Sequence, residues 1–146
     1  MKTPLPDVEN DLAVALAGAG LGLVLHQSVV PGREVSHGDG VDLACVFVVM
    51  YSGEGLALDA DDVESKPRCQ IIVRGEPREY GKASALARAI MNVLHMKRDM
   101  VATGIPSTQT QVYADVRCLD AVPQVLDDNE NASPRLIVNV ECVYVD

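Results

Sequence analysis

Apolar residues recur at three- and four-residue intervals in two parts of the chain, which is the spacing of one face of an α-helix. The first part covers residues 7–18, where Asp7 can cap a helix and a series of glycines can end it. The second covers residues 82–96. Its apolar stripe consists of Ala83, Leu86, Ala87, Ile90, Val93 and Leu94. A helix that is apolar on one side needs a surface to cover, so both helices are predicted to pack on a sheet.

Five further runs have the composition or the alternation of β-strands. They are residues 23–30, 44–51, 68–74, 112–119 and 136–145. The second run is apolar on both faces, as expected of a central strand that is covered from both sides. The third and fifth alternate apolar with polar residues, which indicates one buried face and one wet face.

The resulting order is α, β, β, β, α, β, β, and 146 residues are enough for one domain. The sequence therefore predicts a single α/β domain, of the α+β type, over residues 1–146. Its sheet is mainly antiparallel, with about five strands, two packed helices and a hairpin at each end. Residues 98–111 follow neither periodicity and are predicted to be a mobile loop that becomes ordered on assembly. The predicted core is Leu12, Leu16, Val46, Val48, Ile71, Val73, Leu86, Ile90, Val138 and Val140.

Charge and composition argue against several classes of function. The chain carries a net charge of −9 and no dense cluster of lysine or arginine, which disfavours tight binding of nucleic acid. The longest apolar run, residues 43–51, is far shorter than the roughly 20 residues that cross a bilayer. Acidic residues precede the apolar stretch at 12–25, where a signal peptide needs positive charge. We therefore expect no membrane span and no exported form.

The four cysteines all fall in predicted strands, and none belongs to a Cys-x-x-Cys pair. They are Cys45, Cys69, Cys118 and Cys142. Buried free thiols are the favoured interpretation, since unpaired cysteine commonly packs as a small hydrophobic residue. Four reduced thiols are therefore predicted, in a protein of a reducing compartment.

The sequence offers no catalytic constellation. His26, His37 and His95 have no partners at metal-ligand spacing, and residues 52–55 lack the lysine of a phosphate-binding loop. The acidic residues 127–130 lack the spacing of a calcium loop, so a solvated turn is favoured there. Because no nucleophile has an identifiable base, we predict no catalytic residue, no metal, no cofactor and no enzyme activity.

Residues 74–80 are unusually dense in charge and lie between a predicted strand and a predicted helix. They could form a salt-bridged surface turn or a contact for another subunit, because interfaces favour arginine and tyrosine. The acidic turn near residue 127 is the second such candidate. The predicted subunit interface comprises Arg74, Arg78, Tyr80, Asp127, Asp128 and Glu130.

Several short motifs follow one another over most of the chain. An amino-terminal helix ends in glycines, and a strand closes on Tyr51 and a glycine pair. A Pro-x-x-Gln-x-x-x-Arg-Gly strand begins at Pro67, an Ala/Leu helix follows, and Asn139 opens an Asn-x-x-x-x-Tyr strand. In order and spacing these motifs resemble the tail terminator, or minor capsid, proteins of long-tailed bacteriophages. Residues 33–42 and 98–111 match no feature of that family.

The resemblance implies a structural virion protein that forms a ring, typically a homo-hexamer, at the head-proximal end of the tail tube. Such a ring stops tube growth and joins the tail to the head, with tube protein on one side and the head connector or neck protein on the other. It would be built in the host cytoplasm and reside in the virion. An acidic lumen would let DNA pass without specific binding.

Two other interpretations stay open at this point. The chain could be a neck or head-completion protein of the same particle. It could also be a small-molecule-binding regulatory domain, in which a similar two-helix sheet dimerises around a ligand.

Overall fold

Two helices and seven strands make up the described part of the computed structural model, which covers residues 7–34, 46–54, 64–76, 78–98, 100–102, 111–127 and 134–145. The helices are α1 (Val8–Ala17) and α2 (Tyr80–Leu94). The strands are β1 (Val29–Pro31), β2 (Val46–Glu54), β3 (Glu64–Arg74), β4 (Met100–Ala102), β5 (Gln111–Cys118), β6 (Gln124–Asp127) and β7 (Arg135–Val145).

Helix α1 begins and ends where its sequence predicts. The Asp7 carboxylate accepts a hydrogen bond from the Asn10 backbone N–H at 3.2 Å, which satisfies one of the free donors of the first turn. The helix ends at Gly18, and Gly20 and Gly22 then adopt positive φ angles of 78° and 77°. Glycine tolerates this backbone conformation, so the chain can turn sharply away from the helix.

Helix α2 starts two residues earlier than predicted and buries one stripe. Its buried side chains are Ala83, Ala87, Ile90 and Leu94. Leu86 belongs to the predicted core but is only partly buried, because it lies at the border of this stripe. The start of the helix packs tightly against the end of β3, since a Cβ added to Gly75 would lie 2.8 Å from the Ala83 Cβ.

The described strands form one sheet in the order β1-β2-β3-β7-β5-β4, with β6 pairing β7. All pairs are antiparallel except β1 with β2. The α+β class, the two packed helices and the mainly antiparallel sheet agree with the prediction.

The predicted amino-terminal hairpin is wrong. The strand expected at 23–30 is reduced to the three residues of β1, and β1 runs parallel to β2. The chain forms a tight turn at residues 26–28, where His26 has a φ of 66°, so these residues are not part of a strand. The long connection after β1 leaves enough chain for the crossover that parallel pairing needs.

Three strand segments were not predicted. β4 lies inside the expected loop at 98–111, of which residues 99 and 103–110 lie outside the described residues. β6 lies in the segment expected only to join the last two strands, and β3 begins four residues before its predicted start. Strands of three or four residues are too short for an alternation of apolar and polar positions to be recognised.

The sheet has two unlike faces. The first face lies under α1 and α2 and forms the main core, which includes every predicted core residue of the strands. The second face, on the other side of the same strands, carries a small cluster of Phe47, Ile72 and Ile137, with Val30 and Val49 packed against it. Neither described helix is long and apolar enough to cross a bilayer.

Candidate subunit interface

One end of the sheet gathers the described members of the predicted interface. Arg74 ends β3 and pairs with Arg135 of β7, which in turn pairs with Asp127 of β6. Arg78 and Tyr80 follow β3 directly, so they leave the sheet at this same end. Asp128 and Glu130 lie outside the described residues. The structure therefore brings four of the six residues to one end of the subunit.

Arg74 makes its main contacts inside the subunit. Its side chain lies on the second face and is 8% exposed. The guanidinium carbon sits 4.8 Å from the centre of the Phe47 ring, and Nη1 lies 3.8 Å from Glu34 Oε1. Stacking on an aromatic ring and pairing with a carboxylate are both favourable for a desolvated arginine. These contacts give Arg74 a role in positioning the second face.

Glu34 joins two arginines from neighbouring strands. Arg135 donates to both carboxylate oxygens of Glu34, from Nε at 2.9 Å and from Nη2 in a shorter contact. Glu34 follows β1, yet β1 lies three strands from β7, a distance of about 14 Å at the usual strand spacing. The extended glutamate and arginine side chains together bridge this distance above the second face. Gly32, with a φ of 105°, provides the turn between β1 and Glu34.

Sequence reasoning missed Glu34 and Arg135. The two residues are 101 positions apart, and neither stands in a motif. Only the strand order brings them together, so no local signal could have identified the pair.

Arg78 and Tyr80 present a different environment from that of Arg74. Both are exposed, Tyr80 to 44%, and Arg78 adopts a left-handed backbone with a φ of 68°. Next to them, Glu79 Oε1 pairs with Lys82 Nζ at 3.2 Å on the surface. The turn thus contains a surface ion pair and also offers an exposed arginine and tyrosine. The interface role of these residues stays a prediction.

Two further ion pairs lie on the second face, along β3, β5 and β7. Arg68 Nε lies 3.0 Å from Glu141 Oε2, and Arg117 Nε lies 2.8 Å from Asp115 Oδ2. These pairs are partly exposed, so they contribute little to the free energy of unfolding and mainly fix the surface.

The ionisable groups under the helices are protected from water. The Tyr113 hydroxyl donates a buried 2.6 Å hydrogen bond to Asp11 Oδ2, which ties β5 to α1. Burial, together with this bond, raises the pKa of the Tyr113 hydroxyl. Burial likewise raises the pKa of the Cys69 thiol to about 12 and that of Cys118 to about 11. Thiols with such pKa values are poor nucleophiles near neutral pH.

The described cysteines are free, as predicted. They are Cys69, Cys118 and Cys142, and Cys45 lies outside the described residues. His95 has a structural role, because its Nδ1 accepts a hydrogen bond from the Cys118 backbone N–H at 3.1 Å. Within the described ranges, no group of three or more His, Cys, Asp or Glu side chains is arranged to hold a metal ion.

Comparison with known families gives a match that covers most of the middle of the chain. A family model described as "Bacteriophage tail terminator protein" matches residues 35–133, about two thirds of the chain. The matched segment runs from the residues before β2 to those before β7 and includes α2 and the charged turn at Arg78. A comparison with curated proteins finds no match.

Proposed function

Because the chain belongs to the bacteriophage tail terminator family, whose members are structural proteins of the virion tail, we propose that it forms a ring at the head-proximal end of the tail tube. The ring, typically of six subunits, stops growth of the tube and joins the tail to the head connector. The family match over residues 35–133 is the observation that carries this proposal.

The exposed end of the sheet supports an assembly role. Arg78 and Tyr80 protrude from a turn that is anchored to the sheet by the close contact of Gly75 with Ala83. Interfaces favour arginine and tyrosine, and an anchored turn lowers the cost of ordering the backbone when a partner covers it. We assign this end of the subunit, which the sequence predicts as a subunit interface, to a contact with a neighbouring subunit of the ring or of the tube.

The charge of the chain is consistent with a passage for DNA. Every subunit contributes a net charge of −9 to the ring, and cations that could neutralise phosphates are few. DNA would then pass through the lumen without specific binding.

A tube-capping experiment tests the proposal. Purified tail tubes that lack a terminator are incubated with the protein, and fresh tube protein is then added. We expect electron microscopy to show a ring at one end of each tube and to show no further growth from that end. Binding to head connectors with unchanged tube growth would contradict the proposal and favour the neck-protein alternative.

A variant pair sharpens this experiment. Tyr80→Ala removes an exposed ring from the proposed contact, whereas Lys82→Ala removes a neighbouring side chain that is 80% exposed and pairs only with Glu79 among the ion pairs described here. We expect Tyr80→Ala to weaken capping and Lys82→Ala to leave it close to that of the unchanged protein. Equal capping by both variants would show that Tyr80 does not belong to the proposed contact.

A further inference from the structure

Two edges of the sheet lie on opposite sides of the subunit, at the same position along the strand direction. Reading across the strands, Val29 of β1 is followed by Val46, Val73, Leu136 and finally Val125 of β6. Four strand spacings, or about 19 Å, separate these two edges. When two copies are placed side by side across the strand direction, the β6 edge of one copy therefore faces the β1 edge of the next.

The β6 edge exposes apolar side chains that are held in place. Leu119 is 42% exposed, Val122 53% and Val125 46%, and these are three of the seven large hydrophobic residues that are exposed in the described chain. The Leu119 backbone N–H donates to the Asn139 carbonyl, and Asn139 Nδ2 donates to Asp120 Oδ2, both at 2.9 Å. We name Leu119, Asp120, Val122, Gln124 and Val125 the β6 edge surface. Exposed apolar residues that lie close together in the chain, on a backbone held by hydrogen bonds, favour an interaction site.

The β1 edge offers a matching surface. Leu25 forms a bridge to Val29, and the His26 backbone N–H donates to the Val29 carbonyl at 2.8 Å, so this segment lies along the outside of β1. Val24 is 50% exposed there. We name the exposed residues Val24, His26, Gln27 and Arg33 the β1 edge surface.

Side chains rather than backbone hydrogen bonds would join the two edges. The β1 strand ends in Pro31, which has no N–H to donate, and the bridge from Leu25 already occupies the position beside Val29. Extension of the sheet by an added strand is therefore blocked at this edge.

The charges of the two edge segments are complementary. Residues 118–127 contain Asp120 and Asp127 and no lysine or arginine, whereas Arg33 is the charged member of the β1 edge surface, and the acidic Glu34 that follows it is paired with Arg74 and Arg135. Packing the β6 edge surface on its own copy would oppose like charges, which disfavours a two-fold contact. Packing it on the β1 edge surface of another copy pairs unlike charges.

We propose that the β6 edge surface of one subunit packs against the β1 edge surface of the next. Such a head-to-tail contact uses two different patches of each copy, which is the arrangement that closes into rings. This inference rests on the proposed function and adds to it the lateral contact of the ring.

Disulfide cross-linking tests the contact directly. The double variant Val24→Cys/Val122→Cys is assembled with tail tubes, oxidised and separated under denaturing, non-reducing conditions. We expect a ladder of covalent oligomers that reaches the size of the ring. The two single variants report any reaction of the native thiols, and Met96→Cys/Val122→Cys is the matched control, because Met96 is also 50% exposed but lies at the end of α2.

The outcomes separate this inference from the proposed function. A ladder from the Val24/Val122 double variant alone supports the head-to-tail contact. A covalent dimer from Val122→Cys alone would indicate a two-fold contact and overturn it, as would visible rings on the tubes without any ladder. In the latter case the proposed function stands. A ladder without rings on the tubes would support the contact and contradict the proposed function.

A charged substitution provides a test without oxidation. Val122→Asp adds a negative charge to the β6 edge surface, and we expect it to weaken ring formation about tenfold, since about 1.4 kcal/mol of lost contact has that effect. Met96→Asp is the control and should leave ring formation unchanged. Equal ring formation by Val122→Asp and the unchanged protein, at equal thermal stability, would overturn the proposal.

Discussion

Neighbouring residues of β3 point to opposite faces of the sheet and meet different chemistry. Ile71 is buried in the main cluster beneath the helices. Ile72 belongs to the small cluster with Phe47 and Ile137, at the border of which Arg74 stacks on Phe47. The first face holds the subunit together through apolar contact. The second face adds partly exposed ion pairs, which define the shape of a surface more than they stabilise it.

Replacement of each isoleucine by alanine tests this contrast with the largest expected effects. Both changes remove the same atoms and leave a cavity, at a general cost of about 2–5 kcal/mol. We expect Ile71→Ala to fall near the upper end and Ile72→Ala near the lower end, because the smaller cluster is open enough to relax. Urea denaturation of the two variants measures the difference in the free energy of unfolding. Equal losses would show that the second face contributes as much as the first.

The buried Tyr113–Asp11 hydrogen bond is a polar contact on the otherwise mainly apolar first face. Tyr113→Phe removes the donor at 2.6 Å while keeping the ring, and we expect a loss of about 1–3 kcal/mol. Tyr80→Phe is the matched control, because that hydroxyl belongs to an exposed side chain and its loss should change stability little. Similar unfolding midpoints for the two variants would mean that the bond contributes no net stability.

The thiols of the first face predict how stability depends on pH. Burial raises the pKa of Cys69 from the usual 9.0 to about 12, so this thiol keeps its proton in the folded state at a pH where the unfolded chain loses it. Its contribution is complete below pH 9 and is lost as the pH rises towards 12. We expect Cys69→Ala to flatten the fall in stability above pH 9, by up to about 1.4 kcal/mol per pH unit. Urea denaturation at pH 8, 9 and 10 measures both slopes, and parallel slopes would contradict the assignment.

The difference between the faces also explains which parts of the fold could be predicted. Periodicity located both helices and the buried side of β3 and β7, because a face that is uniformly apolar imposes a regular pattern on the sequence. Three-residue strands such as β1 and β4 carry no such pattern, and nothing local determines that β1 runs parallel to β2.

The candidate interface was predictable only in part. The sequence grouped Arg74 with Arg78 and Tyr80 because they are close in the chain. The alternation along β3 turns the Arg74 side chain onto the second face, whereas Arg78 and Tyr80 lie beyond the strand and are exposed. Val122 and Val125 of the β6 edge surface gave no signal, since the sequence alone does not show whether an apolar residue is buried or exposed.

The smallest effect is expected for the ion pairs of the second face. Glu34→Gln removes the charge that Arg135 and Arg74 share but keeps an oxygen that can accept a hydrogen bond. The Glu34 and Arg135 side chains are 24% and 32% exposed, so water and salt already weaken their attraction, and we expect a loss of about 1 kcal/mol or less.

Salt provides the decisive comparison for this variant. Glu79→Gln is the control, because Glu79 pairs with Lys82 at 3.2 Å on the open surface and should contribute still less. Thermal unfolding at 20 mM and 500 mM salt should show the Glu34→Gln deficit shrinking as salt rises, because the shorter Debye length screens the attraction more strongly. A deficit of several kcal/mol that persists at high salt would mean that Glu34 stabilises the second face as strongly as apolar packing stabilises the first. The contrast between the two faces would then be wrong, because one carboxylate would stabilise the second face as much as a buried apolar side chain stabilises the first.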